Sequence, residues 1–418
     1  MSRSGRSRYI ELLRTNPDLR RIYLSRLVSF GGDWFLLVPI LGLVNELSGS
    51  PVLTAAVLAA NTLPAFLASP LGGVMADRLD RRKIMMWANA AAAVAAALML
   101  AVDRPALIRS GLSVPLALAG LGILAGLSAL ISPASSASVP AVVEPERLAD
   151  ATFLVESTWG MMAAIGSAAG GLVATALGRE AAIAIDAASF VAAAWLVRGI
   201  RRPLSRRVIS TRTDSSSRPL AQAIDYVRAH PPVLALLTSK AGFAVFGAGA
   251  VALLPILALD VFAAGDAGTG LLFGARGVGV LLGPFVIRRL LGGIDRRLLL
   301  AIGFTMATWG LSYLGTAFAP TLAVAAIAVL FGHAGAGSQW SFSSYGLQRY
   351  TADEFRGRVF GLDFAAVTLT STVSQLLFGW LAESQPVRTI FAWVAVAAIA
   401  FGLIWWRSTR GYWRHPSS

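Results

Sequence analysis

The stretch Gly72-Gly73-Val74-Met75-Ala76-Asp77-Arg78-Leu79-Asp80-Arg81-Arg82-Lys83 concentrates six charged residues between two long apolar segments. These segments, at 52–76 and 84–102, are long enough to cross a bilayer, which takes roughly 20 apolar residues. A charged loop between two such segments is typical of a membrane protein whose loop lies at the membrane surface. The stretch therefore predicts two membrane-spanning helices joined by a charged turn.

The composition of the whole chain agrees with a membrane protein. Hydrophobic residues make up 56% of the 418 residues and charged residues 14%. A soluble domain is about 45–50% apolar and about 25% charged. We therefore exclude a series of soluble domains, and the length leaves room for roughly a dozen spanning helices.

The rare residue types exclude several chemistries. The chain has no cysteine, which excludes disulfide scaffolds, iron–sulfur centres and thiol nucleophiles. Its histidines, His230, His333 and His415, are far apart in the sequence, so we expect no metal site built by the protein. No Gly-x-x-x-x-Gly-Lys-Ser/Thr motif occurs, and we expect neither ATP hydrolysis by this chain nor a cofactor.

Hydropathy predicts an all-α membrane protein with twelve spans. The predicted spans are 22–44, 52–76, 84–102, 114–138, 151–177, 181–199, 233–262, 268–290, 298–318, 321–345, 359–383 and 387–407. The span at 233–262 is too long for one straight crossing, and Pro255 is expected to bend or end it. Asn16-Pro17-Asp18 predicts a helix start on the membrane surface, and no cleavable signal peptide is expected.

The basic residues are distributed asymmetrically between the loops. Of 36 lysines and arginines, 29 fall on one side of the predicted spans, four on the other side and three within spans. The positive-inside rule then places both termini in the cytoplasm. It also accounts for the net charge of +14 without a nucleic-acid partner, which would need a basic face on a soluble module.

The two halves of the chain resemble each other. Arg147 and Arg356 lie 209 residues apart, half the chain length, and each lies in a mixed-charge loop before a long span. A parallel six-plus-six repeat is typical of secondary transporters. The predicted segments are a cytoplasmic N-terminal segment 1–21, two six-helix halves 22–199 and 233–407, a cytoplasmic linker 200–232 and a cytoplasmic tail 408–418.

The charged loop resembles the motif of the major facilitator superfamily between spans 2 and 3, which reads Gly, three residues, Asp-Arg, one residue, Gly, then Arg-Arg or Arg-Lys. The matching residues are Gly73, Asp77, Arg78, Arg81 and Arg82. Asp80 stands where the family has Gly. The segments 16–35, 145–151 and 356–359 resemble the enterobactin-exporter and macrolide-efflux branch. The resemblance covers nearly the whole chain and implies a multi-pass transporter of the bacterial cytoplasmic membrane.

The resemblance also implies that the loop latches the two halves in the outward-facing state, with Asp77 facing the start of span 11. Asp363 in that span is a candidate partner for Arg78 or Arg81. Independently of the family, Gly73 would let two helices approach closely. The alternative is that the loop only anchors the topology.

A glycine motif in span 5 also resembles exporters of the superfamily, which carry Gly-Pro-x-x-Gly-Gly there. The chain has Gly166, Gly170 and Gly171, with Ser167 in place of Pro. In antiporters this face is thought to restrict leak. Helix packing explains the same glycines equally well.

Charged residues within spans are the strongest chemical signal, because each costs free energy unless it is paired or hydrated. Asp33 lies near the middle of span 1, with Arg26 on the same face. The repeat offset places Lys240 at a similar depth, so that it could face Asp33. The proton-coupling candidates are Asp33, Glu156 and Asp186, and the cavity cations are Arg26, Lys240 and Arg276. The alternative is that each charge braces helices.

The substrate-cavity candidates are Trp34, Phe35, Asn61, Phe66, Phe243, Phe246, His333, Gln339, Trp340 and Gln375. Aromatic residues in membrane proteins serve more often in packing or at the interface. An apolar cavity with few polar anchors suits amphipathic ligands.

These signals predict a monomeric antiporter that exports hydrophobic or amphipathic small molecules, such as drugs or siderophore-like compounds, driven by proton entry. Its expected partners are the substrate, protons and membrane lipids. A lipid or lysophospholipid flippase is the alternative within transport. An intramembrane enzyme or receptor is disfavoured, because no catalytic constellation is visible.

Overall fold

The structure, a computed structural model, describes residues 3–156, 158–204, 219–292 and 298–413. Within these ranges the regular elements are helices, and no strand occurs. The helices are α1 (Arg3–Thr15), α2 (Pro17–Ser48), α3 (Pro51–Arg78), α4 (Arg81–Leu98), α5 (Pro105–Arg109), α6 (Ser113–Val142), α7 (Leu148–Glu156), α8 (Thr158–Leu177), α9 (Arg179–Arg198), α10 (Pro219–Ala229), α11 (Pro231–Ile256), α12 (Gly265–Leu290), α13 (Leu298–Ala317), α14 (Leu322–Tyr350), α15 (Asp353–Ala382) and α16 (Val387–Thr409).

Eleven of the described helices are long and apolar enough to cross a membrane. The predicted span at 298–318 coincides with a further helix, α13, of 20 residues. Helices α7 and α8 together occupy the predicted span at 151–177. The all-α membrane fold predicted from hydropathy is therefore confirmed.

Local sequence signals set the start of α2. Asn16 caps this helix, because its side-chain oxygen accepts a hydrogen bond from the backbone N–H of Leu19 at 2.9 Å. Pro17 takes the first helical position, where a missing N–H removes no helical hydrogen bond. The helix start predicted at Asn16-Pro17-Asp18 is confirmed.

The long span predicted at 233–262 changes its geometry next to Pro255. The α-helical part, α11, ends at Ile256, and the chain continues as a π-helical turn over Leu257–Val261. Proline has no N–H, and its ring clashes with the carbonyl four residues earlier, so it disturbs the helix at this point. The α-helix ends one residue after Pro255, in agreement with the expectation that this proline bends or ends the span.

The chain forms two compact units. Unit 1 draws on Met1–Gly49, Ala60–Thr211 and Gly265–Gly270, and unit 2 on Ser50–Ala59, Arg212–Ala264 and Leu271–Ser418, as far as these residues are described. The first turns of α3 and α12 are thus grouped with the opposite unit from the rest of their helices. The halves predicted at 22–199 and 233–407 assign each helix entirely to one half, so this exchange was not predicted.

Polar contacts explain the exchange of the two first turns. In unit 1, Asp266 at the start of α12 accepts a hydrogen bond from Arg179 Nε at 2.8 Å. In unit 2, Glu383 accepts one from the backbone N–H of Val52 at the start of α3, at 3.1 Å. The second contact also satisfies a backbone N–H at the start of α3 that the helix itself leaves without a partner.

Each unit has its own apolar core. Leu19, Ile22 and Ile84 are buried in the core of unit 1, and Leu236 and Ile302 in that of unit 2. Many other large apolar side chains are exposed, as expected for helices whose outer surface meets lipid.

The predicted linker and tail are described in part. Leu204 is buried in the core of unit 1, and α10 lies against α15, where the Tyr226 ring stacks on Phe355 at 4.3 Å between centres. Residues 205–218 of the predicted linker and 414–418 of the predicted tail lie outside the described residues.

Candidate functional site: buried charges in the two units

Asp33 lies near the middle of α2. It follows Pro17 by 16 residues, which is roughly 24 Å along the helix at 1.5 Å per residue. Ser128 of α6 donates a hydrogen bond to Asp33 Oδ2 at 3.0 Å. The carboxylate is thus held from a neighbouring helix of unit 1.

Arg26, two turns earlier in α2, binds the same neighbouring helix. Its guanidinium donates to Ser136 Oγ at 3.0 Å and lies 4.9 Å from the centre of the Phe30 ring. Ser128, Ser132 and Ser136 recur every four residues, a spacing that places them on one face of α6. The sequence analysis missed this polar face, although the spacing was its signal.

Asp186 of α9 lies next to Asp33. It is fully buried, and a Cβ at Gly32 would collide with its Oδ1 and with Ser189 Oγ. Ser189 Oγ is 3.5 Å from Oδ1, whereas Oδ2 has no hydrogen-bond partner in the described part of the chain. Asp186 Oδ1 thus lies against Gly32, the residue directly before Asp33 in α2. The structure thus brings together two carboxylates that the sequence nominated separately.

Two further sequence candidates are placed only by their backbone. Glu156 is the last residue of α7, and Asp77 lies in the last turn of α3. Their side chains lie outside the described part of the structure. The coupling role of Glu156 and the latch role of Asp77 remain predictions.

The three glycines of α8 are packing positions. A Cβ at Gly166 would lie 3.0 Å from Trp34 Cβ, and one at Gly170 would collide with the backbone of Phe35. Gly171 lies against the first turn of α12. These contacts support the helix-packing interpretation, with Trp34 and Phe35 half-buried against α8. A role in restricting leak stays a prediction.

The structure places the close helix approach at Gly72 rather than Gly73. A Cβ at Gly72 would lie 2.5 Å from the carbonyl oxygen of Ala129 in α6, whereas one at Gly73 would meet no described atom within 4 Å. The assignment of the close approach to Gly73 is therefore wrong by one residue. The two adjacent glycines point in different directions from the helix, and the motif does not show which one faces a neighbour.

Asp80 ends the charged turn as a helix cap. Its carboxylate accepts hydrogen bonds from the backbone N–H groups of Arg82 at 2.9 Å and Lys83 at 3.2 Å, at the start of α4. Asp is among the preferred residues at this capping position. Asp80, which stands where the family motif has glycine, thus caps the N-terminus of α4.

The arginines of the loop differ in their surroundings. Arg81 donates to the backbone carbonyl oxygens of Ala137 at 2.7 Å and Leu204 at 3.1 Å. Arg82 donates to the carbonyl oxygen of Arg198, and the Arg78 side chain is exposed. Arg81 and Arg82 therefore brace unit 1, and the latch function of the loop stays a prediction.

Lys240 of α11 and Asp363 of α15 form a buried ion pair in unit 2. Lys240 Nζ lies 2.6 Å from Asp363 Oδ2, and the two side chains are only 2% and 5% exposed. Lys240 Nζ also donates to Ser344 Oγ at 3.1 Å and lies 4.4 Å from the centre of a Trp340 ring. A cation over an indole ring is attracted by the ring electrons. Three of the predicted residues thus form one polar cluster.

This cluster corrects the partners expected for two residues. The sequence placed Lys240 opposite Asp33 and made Asp363 a candidate partner for Arg78 or Arg81. In the structure Lys240 and Asp363 bind each other. The repeat offset indicates the depth of a residue along its helix but does not show which neighbouring helix it faces.

Arg276 of α12 and His333 of α14 are two further polar residues within helices of unit 2. Each lies 11 residues after the first residue of its helix. His333 Nδ1 lies 3.0 Å from the backbone oxygen of Val329, and the Arg276 guanidinium lies 5.9 Å from the centre of the Phe273 ring. The Tyr313 ring lies 5.8 Å from that of His333 and is stacked at 4.4 Å on that of Trp309. The sequence analysis missed Trp309 and Tyr313, although two polar aromatic residues one turn apart within a span were a usable signal.

The remaining cavity candidates have different environments. Gln339 is 1% exposed, accepts a hydrogen bond from Thr305 at 2.8 Å and donates one to Ser239 at 3.0 Å. It therefore joins three helices rather than lining a cavity. Gln375 is buried, and Asn61 and Phe66 are half-buried in α3. A small apolar pocket in unit 2 is lined by Phe243, Phe246, Met306, Trp309, Ala398 and Phe401.

The chain belongs to the transmembrane secretion effector family of the major facilitator superfamily, whose family model matches residues 13–413. It is 25% identical over 318 residues to "Uncharacterized MFS-type transporter YkuC" of Bacillus subtilis, covering 69% of this chain and 70% of the relative. It is 22% identical over 361 residues to "Putative bacilysin exporter BacE" of Bacillus amyloliquefaciens, covering 86% and 88%. The protein is thus a multi-pass membrane transporter and not an enzyme.

Solved structures of transporters share the fold. A D-xylose-proton symporter matches with a TM-score of 0.69 and 16% identity, covering 94% of this chain and 97% of that one. A peptide transporter POT in complex with sulfate matches with a TM-score of 0.71 and 11% identity, covering 95% of each chain. At these identities the likeness confirms the predicted major facilitator fold and says nothing about the substrate.

Proposed function

We propose that this protein is a proton-coupled exporter of hydrophobic or amphipathic small molecules that works by alternating access in a bacterial cytoplasmic membrane. Export is supported by family membership and by the relative whose name assigns it to bacilysin export. The observation that carries proton coupling is the position of fully buried Asp186 against Gly32, which directly precedes half-buried Asp33 in α2.

Two neighbouring carboxylates suit the uptake and release of a proton. Buried charges in a membrane protein are costly unless they are compensated, and like charges in a medium of low dielectric constant repel strongly. One proton bound by Asp33 or Asp186 removes this repulsion. It also supplies an O–H donor for a site in which Asp186 Oδ2 has no described partner. The pair therefore forms one proton-binding site.

The helices around the pair hold few other titratable groups. Helices α6 and α8 contain none. In α9 the others are Arg179, Glu180 and Arg198, all at the helix ends, and those of α4 lie in its first turn. The nearest cation of α2 towards its start is Arg26, which is bound to Ser136. Protonation of the pair is therefore the expected source of pH dependence in unit 1.

Everted membrane vesicles test the proposed function. Vesicles from cells that produce the protein are given an acidic interior and a panel of amphipathic dyes and antibiotics. We expect accumulation of at least one compound that collapses when the pH difference is removed. Accumulation that requires ATP after the pH difference is removed, or no accumulation of any compound beyond that of vesicles lacking the protein, would contradict the proposal.

Gly32 provides a geometric test of the carboxylate pair. Gly32→Ala places a methyl group where Asp186 and Ser189 lie and should push Asp186 away from Asp33. Displacements of about 1 Å can cost about 100-fold in a positioned reaction, so we expect the pH-driven transport rate to fall by at least about tenfold. Gly31→Ala is the matched control, since its methyl group would lie 3.2 Å from the flexible end of Met162. Equal initial rates, per amount of folded protein, would refute the pairing.

The charge distribution predicts the topology. A reporter enzyme that works only outside the cytoplasm should be inactive when fused at Ser418 or inserted at Ser216. The same reporter should be active when inserted after Gly111, in a loop that the positive-inside rule places outside. Activity at either of the first two positions would overturn the cytoplasmic placement of the linker or the C-terminus.

A further inference from the structure

One oxygen of the buried ion pair in unit 2 has no partner. Asp363 Oδ2 accepts a hydrogen bond from Lys240 Nζ at 2.6 Å, whereas Oδ1 has no hydrogen-bond partner among the residues that the structure describes. Asp363 is only 4% exposed, and a buried acceptor without a donor costs free energy. A proton bound to Oδ1 removes this cost and, unlike a substrate molecule, needs no cavity.

The surroundings of Lys240 allow Asp363 to lose its charge. An ammonium group has three donors, and Lys240 Nζ has Asp363 Oδ2, Ser344 Oγ at 3.1 Å and the Trp340 ring at 4.4 Å as neighbours. When a proton is on Oδ1, Oδ2 can still accept the hydrogen bond from Lys240. The ammonium group thus keeps its contacts in both protonation states of the carboxyl group.

The stability of the fold does not require two charges at this position. Replacing a buried ion pair by apolar residues of similar size is often neutral or stabilising. Helices α11, α14 and α16 contain no carboxylate, and Asp363 is the only one in α15 after the first turn. We therefore looked to transport for the role of this carboxyl group.

The other titratable residues of α11, α15 and α16 are separated from the pair along their helices. Lys240 is the only titratable residue of α11, and those of α16, Arg388 and Arg407, lie at its ends. In α15 the nearest is Arg358, five residues before Asp363, and it donates a hydrogen bond to a side chain of α10 at 2.9 Å. These helices thus bring no second carboxylate to the pair.

The same holds for α14 and α10. In α14, Tyr345 follows Ser344 and is a neutral phenol, Arg349 lies five residues after Ser344, and His333 lies eleven residues before it. Helix α10 meets the first turns of α15, where Tyr226 stacks on a ring eight residues before Asp363. The charged residues of α10 are exposed and are Asp225 and Arg228. Asp363 is therefore the expected proton acceptor of this region.

We propose that Asp363 binds a proton at Oδ1 and is a second coupling residue of the transporter, held in place by Lys240. The proton forms an O–H bond with Oδ1, Lys240 keeps its own protons, and the net charge of the pair changes from zero to one positive charge. A proton shifts a conformational equilibrium only if the two conformations bind it with different affinity. The pair meets this condition because the cost of a buried charge depends on its surroundings. This inference rests on the proposed proton-coupled transport.

Infrared spectroscopy tests proton binding without transport. Difference spectra of the purified full-length protein, in a detergent without carbonyl groups, are recorded between mildly acidic and mildly alkaline pH. A protonated carboxyl group shows a C=O band that a carboxylate lacks. We expect one such band to be missing in Asp363→Asn and retained in Asp353→Asn, the same substitution at an aspartate of α15 whose side chain is 88% exposed. Unchanged carboxyl bands in Asp363→Asn would overturn the proposal.

The charge-free double variant separates coupling from a structural role. Lys240→Met combined with Asp363→Leu leaves no uncompensated charge but cannot bind the proton. In proteoliposomes we expect normal exchange of substrate for substrate and accumulation driven by a pH difference at background, with both normal in Asp353→Asn. Normal pH-driven accumulation by the double variant would overturn the proposal. Loss of exchange as well, in a folded double variant, would assign the pair to the structure alone and would also overturn it.

Two arrangements keep the outcome decisive. If Asp363→Asn does not fold, the double variant replaces it in the infrared measurement. The band of Asp363 should persist in Asp33→Asn, so that a failure of the Asp33 site leaves this test intact. Absence of pH-driven transport by the unmodified protein would refute the proposed function, whereas the infrared bands would still decide whether Asp363 binds a proton.

Discussion

Asp33→Asn is expected to reduce transport driven by a pH difference to background while leaving the exchange of substrate for substrate intact. The substitution keeps the shape of the side chain and its hydrogen-bonding distance to Ser128 but removes the group that binds the proton. Exchange needs only the movement of loaded protein and does not require net proton transfer. The measurement is the initial rate of both processes in proteoliposomes made from the same protein preparation.

Two further variants provide a second test of the carboxylate pair and a control. Asp186→Asn should produce the same loss, because one of the two carboxyls no longer shares the proton. Glu354→Gln, an exposed acidic residue in the first turn of α15, should transport at the normal rate. If Asp33→Asn still concentrates substrate when only a pH difference drives it, Asp33 is not the coupling site, and Glu156 becomes the next candidate.

Lys240→Met is expected to be among the most destabilising single substitutions in the protein. It leaves Asp363 as a buried carboxylate without its cation, and breaking a buried ion pair by removing one partner costs about 3–5 kcal/mol. Asp363→Leu should have a similar effect through the buried ammonium of Lys240. The free energy of unfolding in detergent, followed by tryptophan fluorescence, measures both effects.

The double substitution separates charge from packing. Lys240→Met combined with Asp363→Leu leaves neither charge uncompensated, and replacing a buried pair by apolar residues is often neutral or stabilising. We expect the double variant to recover most of the stability lost in either single variant, which would appear as a strong departure from additivity. Single substitutions that each cost less than about 1 kcal/mol, the range of an exposed pair, would contradict the burial of this ion pair.

The sequence predicted the helices because lipid imposes length and hydropathy on a spanning segment. The start of α2 at Asn16 and the break after Pro255 were also visible, since capping and proline act over one or two turns. The exchanged first turns of α3 and α12 could not be predicted in the same way. They depend on Arg179 with Asp266 and on Glu383 with Val52, contacts between segments distant in the sequence.

For the candidate site, the sequence showed how far along its helix each charged residue lies but not which neighbouring helix its side chain faces. The sequence identified Asp33, Asp186 and Lys240 as costly charges, because a charge in a span is conspicuous whatever surrounds it. It named Asp363 only as a candidate partner for the charged loop. It did not identify the partner of each charged side chain, because that partner depends on the rotation of each helix about its own axis. The sequence analysis did not select Ser128 either. Serine is common in apolar helices, and its role is recognised only when a contact such as its hydrogen bond to Asp33 is known.

Transport by the purified protein in proteoliposomes tests the central claim most directly. The vesicles contain no ATP, the compound identified in everted vesicles is present at equal concentration inside and outside, and a pH difference is then imposed with the inside acidic. The account predicts that the compound accumulates inside those vesicles whose transporters face the required way, that the pH difference decays faster when the compound is present, and that Asp33→Asn shows neither effect. Equilibration of the compound without accumulation, or accumulation with no accompanying proton movement, would contradict proton-coupled export.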